Sequence, residues 1–267
     1  WEKIALATGD PATMNVPFTT TSSHEEEAHA VEADRWRSIA QDYGTGEECR
    51  GGVAEVHEIF STLESSLGAS RGEGHVSVVQ ASWLMATARG LASSALPANP
   101  IRMVEVGFNA GHSALALLAA TPPEAVLVSF DLGEHQASVQ AAAAHIASRY
   151  PGRHTLMRGD SRKTVPDWWA TGGAASGPVD LVFIDGGHTL EVARADLKNC
   201  QRLAHSGTLV VLDDVTPEYF WGRGPAQAWR EAEQQGLVVT EAVYEQTGTA
   251  TSVGPNRRWV VGRYLGE

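Results

Sequence analysis

Five short apolar runs alternate with helical segments between residues 101 and 212, and this alternation restricts the fold more than any other feature. Strands that alternate with helices form parallel sheets buried on both faces, and right-handed crossovers place helices on both sides. Two later runs are predicted to add an antiparallel pair at one edge. We therefore predict an α/β fold with a doubly wound, mostly parallel seven-stranded sheet. Its strands cover residues 101–106, 125–130, 154–158, 179–184, 208–212, 237–244 and 258–265.

The chain before the sheet is expected to be largely helical. Residues 53–67 and 76–91 carry apolar residues at helical spacing, and residues 68–74 have the composition of a linker. These features divide the chain into a helical appendage, residues 1–70, and a second domain, residues 71–267. The appendage is predicted to serve as a lid or as a dimer surface, and the second role would make the protein a homodimer.

Composition restricts the partners of the chain. The formal net charge is -12, whereas a protein that neutralises nucleic-acid phosphates needs an excess of positive charge. No apolar run is long enough to span a bilayer, and Cys49 and Cys200 form no C-x-x-C pair. We therefore predict a small-molecule partner, no nucleic acid, no membrane and a cytoplasmic location. The sequence begins at Trp1, so a removed targeting peptide stays an open alternative.

Polar residues follow the end of every predicted parallel strand. The carboxyl ends of parallel strands lie at one edge of the sheet, where doubly wound folds bind their ligands. Helix capping explains any single acid at such a position, but five polar strand ends at one edge predict a ligand site. These residues are Glu105 with Gly107, Asp131, Asp160 with Ser161, Asp185, and Asp213 with Asp214.

The turn after the first strand carries the clearest ligand signal. Residues 105–111 read E-x-G-x-x-x-G, and glycines let a backbone approach a ligand closely. This spacing differs from the G-x-G-x-x-G of a dinucleotide site, and Glu105 suits a cationic ligand better than a pyrophosphate. Asp131, about 20 residues farther on, can accept hydrogen bonds from ribose hydroxyls. Asp160 and Ser161 would either contact the base of such a nucleoside or cap the next helix.

Residues 72–265 resemble the class I S-adenosylmethionine (SAM)-dependent methyltransferases, and within that class the small-molecule, catechol O-methyltransferase-like type (methyltransferase family 24-like). The resemblance rests on MVEVGFNAGHSALALL, VSFDLGEH, RGDSRKTVP, VDLVFIDGGHTLEVARADL and GTLVVLDDV, which stand in the family's order and spacing. It implies a Rossmann-like methyltransferase fold with SAM as cofactor. It implies that Glu105, Gly107, Asn109 and Ser113 hold the methionine part, Asp131 the ribose and Ser161 the adenine. The predicted cofactor-binding set also includes Gly111, Asp160 and Asp185.

The resemblance also implies Mg²⁺ or another divalent cation at three carboxylates, Asp185, Asp213 and Asp214. Metal-dependent members of the family end this set with Asn, so Asp214 departs from their pattern. Carboxylates that converge repel one another unless protons or a cation intervene, and oxygen ligands suit a hard cation. Separated, hydrogen-bonded carboxylates without a metal stay the alternative.

His188 stands where the catechol type has a lysine that is read as the base for the hydroxyl proton. A histidine can accept a proton near neutral pH, so His188 and Asp185 are the predicted catalytic residues. His188 could instead be a metal ligand or a packed, substrate-orienting side chain. The predicted activity is methyl transfer from SAM to a hydroxyl of a small molecule. A non-catalytic SAM- or nucleoside-binding module and an NAD-linked oxidoreductase are the competing hypotheses.

Overall fold

The computed structural model of the chain describes residues 23–43, 47–68, 76–94, 100–173, 177–246 and 257–266. The strands in these ranges are β1 (Ala40–Asp42), β2 (Arg102–Val106), β3 (Val126–Asp131), β4 (His154–Arg158), β5 (Val179–Ile184), β6 (Ala204–Leu212), β7 (Val238–Gln246) and β8 (Arg257–Tyr264). The helices are α1 (Ser23–Ile39), α2 (Glu47–Leu67), α3 (Val78–Ser94), α4 (His112–Ala119), α5 (Gln136–Arg149), α6 (Ser161–Ala170), α7 (Leu190–Gln201) and α8 (Phe220–Gln234). Among the described residues, no helix combines the length and the apolar character needed to cross a membrane.

The strands form one sheet in the order β1-β7-β8-β6-β5-β2-β3-β4. Strands β2 to β6 run parallel to one another, whereas β8 is antiparallel to both β6 and β7. The predicted doubly wound α/β fold is confirmed, but the sheet has eight strands in the described residues instead of the predicted seven. The additional strand, β1, pairs in parallel with β7 and takes the edge position that we predicted for the β7–β8 pair. Its three residues, Ala-Gln-Asp, carry no apolar alternation that would predict a strand.

Alternate residues of the central strands point to opposite faces of the sheet, which divides the core into two layers. Met103 and Phe183 pack on one face with apolar residues of α2 to α5. Val104 and Val182 pack on the other face with residues of α1, α6, α7 and α8. Burial of a side chain of this size contributes about 1.5–3 kcal/mol to folding. The two layers therefore fix the strands rigidly enough to hold a site at their ends.

The N-terminal elements pack against the sheet and its helices. Val56 and Leu63 of α2 are fully buried in the first core layer, where α2 contacts α3, α4 and α5. Most of the predicted linker, and the polar stretch at residues 1–22, lie outside the described residues. The division into residues 1–70 and 71–267, with the first part as a lid or dimer surface, stays a prediction.

Arg258 of β8 is fully buried beside two carboxylates, 2.9 Å from Glu218 and 3.2 Å from Glu245. Removal of one partner of a buried ion pair leaves an uncompensated charge and costs about 3–5 kcal/mol. We expect Arg258→Leu to lower the free energy of unfolding by about that amount in urea denaturation. Arg89→Leu removes an exposed partner of Glu55 and should cost at most about 1 kcal/mol. Equal losses in the two variants would contradict this account of β8.

Candidate active site

The ends of β2 and β5 meet at the point where the order of the strands reverses. Gly107 has a φ of 97°, and an added Cβ there would overlap the backbone carbonyl of Asp185. The loops that follow these two strands are therefore in direct contact. Gly111, with a φ of 77°, precedes α4, and no side chain caps this helix. The N-terminus of a helix attracts anions such as a ligand carboxylate.

Glu105 lies beneath this glycine turn and is fully buried. One of its carboxylate oxygens accepts a hydrogen bond from Ser113 in the first turn of α4, and the other accepts one from Ser129 Oγ at 2.7 Å. Burial raises the pKa of Glu105 to about 7, although the two serine hydroxyls act in the opposite direction. Because its carboxylate has no exposed surface, Glu105 can act on a ligand through its charge and through Ser113.

Asp131, at the end of β3, ties the glycine turn to the sheet. Its Oδ2 accepts hydrogen bonds from the backbone N–H groups of Phe108 at 3.0 Å and Asn109 at 2.8 Å. Its Oδ1 accepts one from Gly133 N at 2.6 Å. Asn109 has a φ of 45°, and the bond from its N–H stabilises this left-handed conformation. A carboxylate oxygen has two lone pairs, so Oδ1 keeps an acceptor position for a hydroxyl group.

Asp160 and Ser161 begin α6, one strand farther along the sheet. Asp160 is the N-cap of α6 and accepts a hydrogen bond from Arg162 N at 3.0 Å. Its carboxylate also contacts the Arg162 guanidinium at 2.7 Å, and this hydrogen bond is the main reason that the pKa of Asp160 is lowered. The structure thus gives Asp160 a local capping role, and contact of these two residues with adenine stays a prediction.

Asp185, His188 and Asp214 converge at the ends of β5 and β6. Each offers one ligand atom, and the three atoms lie within 4.8 Å of one another. His188 Nε2 is 3.0 Å from Asp214 Oδ2, and the imidazole is 40% exposed. This histidine is therefore partly open to solvent while a carboxylate orients it. Among the described residues, this is the group of His, Cys, Asp and Glu side chains that could hold a metal ion.

Asp213 was predicted in the metal set but does not belong to this group of converging ligand atoms. Its side chain is nearly fully buried, and Oδ1 accepts a hydrogen bond from Asp214 N at 2.8 Å. Asp214 has a φ of 57°, in the left-handed region, where consecutive side chains do not follow the alternation of a strand. The geometry brings Asp185 and Asp214 together with His188, and the role of Asp213 as a ligand stays untested.

Burial and mutual repulsion control the charges of these side chains. Burial raises the pKa of Asp185 well above its usual value, and the charges of Asp213 and Asp214 add to this effect, while Arg257 opposes it. Burial alone would lower the pKa of His188, but the hydrogen bond and charge of Asp214 raise it on balance. For Asp214, His188 and Arg257 outweigh burial and lower the pKa. Asp185 is therefore held toward its neutral form, whereas His188 and Asp214 stabilise each other's charged forms.

Helix α8 borders the site on the side of β6. An added Cβ at Gly224 would overlap the backbone carbonyl of His188, so the first turn of α8 rests directly on the loop that carries this histidine. Three aromatic residues stand at the N-terminus of α8: Tyr219 is the N-cap, and Phe220 and Trp221 are the first two helical residues. Tyr219 and Trp221 stack with ring centroids 4.7 Å apart, and Phe220 is 70% exposed. These rings are suited to form an apolar wall beside the cleft.

Sequence reasoning missed three polar residues that face the site. Ser129 and His154 form a chain of hydrogen bonds with Glu105, and the charge of Arg257 acts on Asp185, Asp214 and the neighbouring Asp213. Ser129 interrupts the apolar sequence of β3, a signal that could have drawn attention to it. His154 and Arg257 each begin a strand, where polar residues are common, so neither gave a comparable signal.

Residues 104–215 match the family model of a methyltransferase domain. No curated protein sequence matches the chain. Among solved structures, cofactor-bound Rv0187 from MTB has a TM-score of 0.64 at 17% identity and covers 79% of this chain and 91% of its own. The O-methyltransferase TomG from Streptomyces achromogenes, in complex with SAM, has a TM-score of 0.58 at 18% identity and covers 91% and 99%.

An O-methyltransferase from Bacillus cereus, in complex with SAH, has a TM-score of 0.58 at 16% identity and covers 80% of this chain and 90% of its own. At such low identities these similarities establish the fold. They agree with the observed sheet, with its parallel centre and its antiparallel β7 and β8. The match to the methyltransferase domain is independent of them, because it rests on the sequence of residues 104–215.

Proposed function

We propose that this chain, whose residues 104–215 form a methyltransferase domain, transfers a methyl group from SAM to a hydroxyl of a small molecule. One observation carries the proposal: the glycine turn and the loop that leads to His188 are in contact at the strand-order reversal. This contact supports a proposed cofactor site at the glycine turn that lies next to the proposed base, His188. SAM bound at the glycine turn would thus direct the methyl group on its sulfonium sulfur toward His188.

The proposed chemistry is a direct displacement. The acceptor oxygen attacks the methyl carbon, the new C–O bond forms as the C–S bond breaks, and the sulfur leaves as a neutral thioether. His188 accepts the proton of the hydroxyl group, and Asp214 stabilises the resulting imidazolium at 3.0 Å. Alignment of the two reactants can contribute about 7–11 kcal/mol to lowering the barrier.

A divalent cation fits the Asp185, His188 and Asp214 group as well. Their ligand atoms lie close together, and a cation would relieve the repulsion that raises the pKa of Asp185. These three residues would hold Mg²⁺ or another divalent ion, and the imidazole favours ions that accept nitrogen ligands, such as Zn²⁺ or Fe²⁺. When bound, such an ion lowers the pKa of a substrate hydroxyl and orients it.

Removal of divalent ions is the direct test of this metal site. We expect dialysis against EDTA to lower kcat at least about tenfold, because the hydroxyl would lose its acidifying partner, and readdition of a divalent ion to restore it. SAH affinity should stay unchanged, since the glycine turn holds no part of the metal group. Unchanged kcat in protein shown to be metal-free by elemental analysis would contradict the metal site and leave His188 as the base.

Two competing functions make different demands on the site. An NAD-linked oxidoreductase would need a pyrophosphate turn, and it fits neither E-x-G-x-x-x-G nor the methyltransferase domain match. A non-catalytic SAM-binding module would tolerate a histidine turned away from the cleft. The partial exposure of His188 and its contact with Asp214 favour an enzyme. A homodimer and a cytoplasmic location stay predictions from the sequence.

Calorimetry and a methyl-transfer assay together test the proposed function. SAM and SAH should bind in titrations in which NAD⁺ and NADH do not. Labelled SAM should then transfer its methyl group to at least one member of a panel of phenols and sugars. Binding of NAD⁺ in place of SAH would overturn the cofactor assignment. SAH binding without transfer to any hydroxyl acceptor in a broad panel would favour the binding module.

A further inference from the structure

A chain of three polar side chains runs across one face of β2, β3 and β4, beside buried apolar residues such as Met103 and Leu127. Glu105 and Ser129 are neighbours across the β2–β3 ladder, and His154 lies opposite Leu127, two residues before Ser129 on the same face. Ser129 Oγ is 2.7 Å from Glu105 Oε2 and 2.9 Å from His154 Nε2. These hydrogen bonds thus connect the buried carboxylate of Glu105, below the glycine turn, to His154 at the start of β4.

The single hydroxyl proton of Ser129 restricts how this chain can be protonated. If Ser129 donates to Glu105, the other contact requires a hydrogen on His154 Nε2. If Ser129 donates to His154 instead, the contact with Glu105 requires a protonated carboxyl. The two arrangements differ by one proton on Glu105 and by the tautomer of His154. The tautomer of the histidine is therefore coupled to the charge of the buried carboxylate.

Burial keeps His154 neutral, since it lowers the pKa of this histidine to about 4. The imidazole also stacks on Phe108 of the glycine turn, with ring centroids 5.1 Å apart and planes inclined by 21°. Phe108 is itself buried, so the ring orientation of His154 is fixed from two sides. A neutral, oriented imidazole can exchange tautomers but does not bring a compensating positive charge toward Glu105.

We propose that His154 is a positioning residue for the cofactor site, because its Nε2–H directs the Ser129 proton onto Glu105 and keeps that carboxylate charged beneath the glycine turn. This inference rests on the proposed function, in which the turn receives the cationic amino-acid end of SAM. The negative charge favours that ligand, and the first turn of α4 favours the charge through Ser113. His154 itself has no need to touch the cofactor.

The other titratable groups near Glu105 are acidic. Asp131 at the end of β3 raises its pKa, and Asp185 at the end of β5 interacts with it electrostatically. From α4 the group that reaches Glu105 is the Ser113 hydroxyl, which does not titrate near neutral pH. Hydrogen bonds from the two serines are therefore what stabilise the charged form, and loss of either bond should raise the pH at which Glu105 ionises.

The test is SAH affinity measured by calorimetry between pH 6 and 8.5. Wild-type affinity should fall as the pH drops through the ionisation of Glu105. His154→Leu leaves the Ser129 oxygen without the donor that polarises its hydroxyl and so weakens, without removing, the bond to Glu105. We expect this variant to move the midpoint of the fall upward by about one pH unit, which is about a tenfold loss of affinity on the acidic side. At pH 8.5 its affinity should match the wild type. His154→Gln, whose amide can donate to Ser129, should return the midpoint toward that of the wild type.

Two controls separate this coupling from a general structural effect. His145→Leu removes a histidine that contacts another serine hydroxyl, Ser66 Oγ at 2.8 Å, and it should leave the midpoint unchanged. Ser129→Ala should move the midpoint at least as far as His154→Leu does. An equal loss of affinity at all pH values in His154→Leu, with an unmoved midpoint, would overturn the proposal and leave the proposed function intact.

A second measurement does not depend on the ligand. Nitrogen-15 NMR of labelled histidine rings at pH 8.5, with the signal assigned by its loss in His154→Leu, should show the Nε2–H tautomer for His154. The Nδ1–H tautomer would overturn the positioning role even if SAH binds. Absence of SAH binding by the wild type at every pH would instead overturn the proposed function, and this inference with it.

Discussion

Replacement of His188 by glutamine is expected to lower kcat for methyl transfer by about 10²–10⁴-fold, the usual contribution of a general base. Glutamine keeps the polarity and approximate size of the side chain but cannot accept the proton of the acceptor hydroxyl. The affinity for SAH should change less than about threefold, because the substitution removes an interaction made in the transition state and none made with the bound cofactor. Initial rates with the best acceptor of the panel, and calorimetry with SAH, measure the two quantities.

His205 provides a matched control for this variant. It is 41% exposed and lies 3.4 Å from Asp180, a histidine–aspartate pair much like that of His188 and Asp214. It is located at the beginning of β6, at the opposite end of that strand from Asp213. His205→Gln should therefore leave kcat unchanged. Full activity in His188→Gln, or an equal loss in His205→Gln, would show that His188 is not the base.

Gly107→Ala is expected to abolish measurable SAH binding and to lower the free energy of unfolding by more than about 3 kcal/mol. The left-handed φ of 97° costs a non-glycine residue about 1–3 kcal/mol. The added Cβ would also overlap the carbonyl of Asp185, so the loops after β2 and β5 would have to separate. Urea denaturation and SAH calorimetry measure the two effects.

Gly152→Ala separates the effect of backbone strain from the effect of the close contact between Gly107 and Asp185. Gly152 has a φ of 75°, but nothing lies within 4 Å of the position of an added Cβ. This variant should lose about 1–2 kcal/mol of stability from the left-handed conformation and keep its SAH affinity. If the two alanine variants behave alike, the contact between the glycine turn and Asp185 does not hold the cofactor site together.

The sequence predicted the central strands well because their signals are local. Strand β5 begins and ends at the predicted residues, since its buried apolar run is unbroken. Strand β6 begins four residues earlier than predicted, at Ala204, where a register shift lets polar residues join the ladder. Strand β1 could not be predicted, because three residues gain their strand conformation only from pairing with β7.

The candidate site was predicted to the level of the strand ends but not of the side chains. The parallel topology alone brings Asp185 and Asp214 to one edge. The left-handed backbone of Asp214 decides which of the two consecutive aspartates faces His188. No sequence pattern predicts this conformation. The link between Glu105 and His154 depends on cross-strand pairing, which joins residues 49 positions apart through Ser129.

The close approach of α8 to the loop after β5 has a consequence for changing what the enzyme accepts. Helix α8, whose N-cap is Tyr219 and whose first residues are Phe220 and Trp221, rests through Gly224 on the backbone of His188. A larger residue at Gly224, or a shift of the helix to admit a bulkier acceptor, would also displace His188, the proposed proton acceptor. A change that alters which acceptors fit would therefore also alter reactivity. To change acceptor selectivity, we expect substitutions of the aromatic side chains of Tyr219, Phe220 and Trp221 to succeed when Gly224 is preserved.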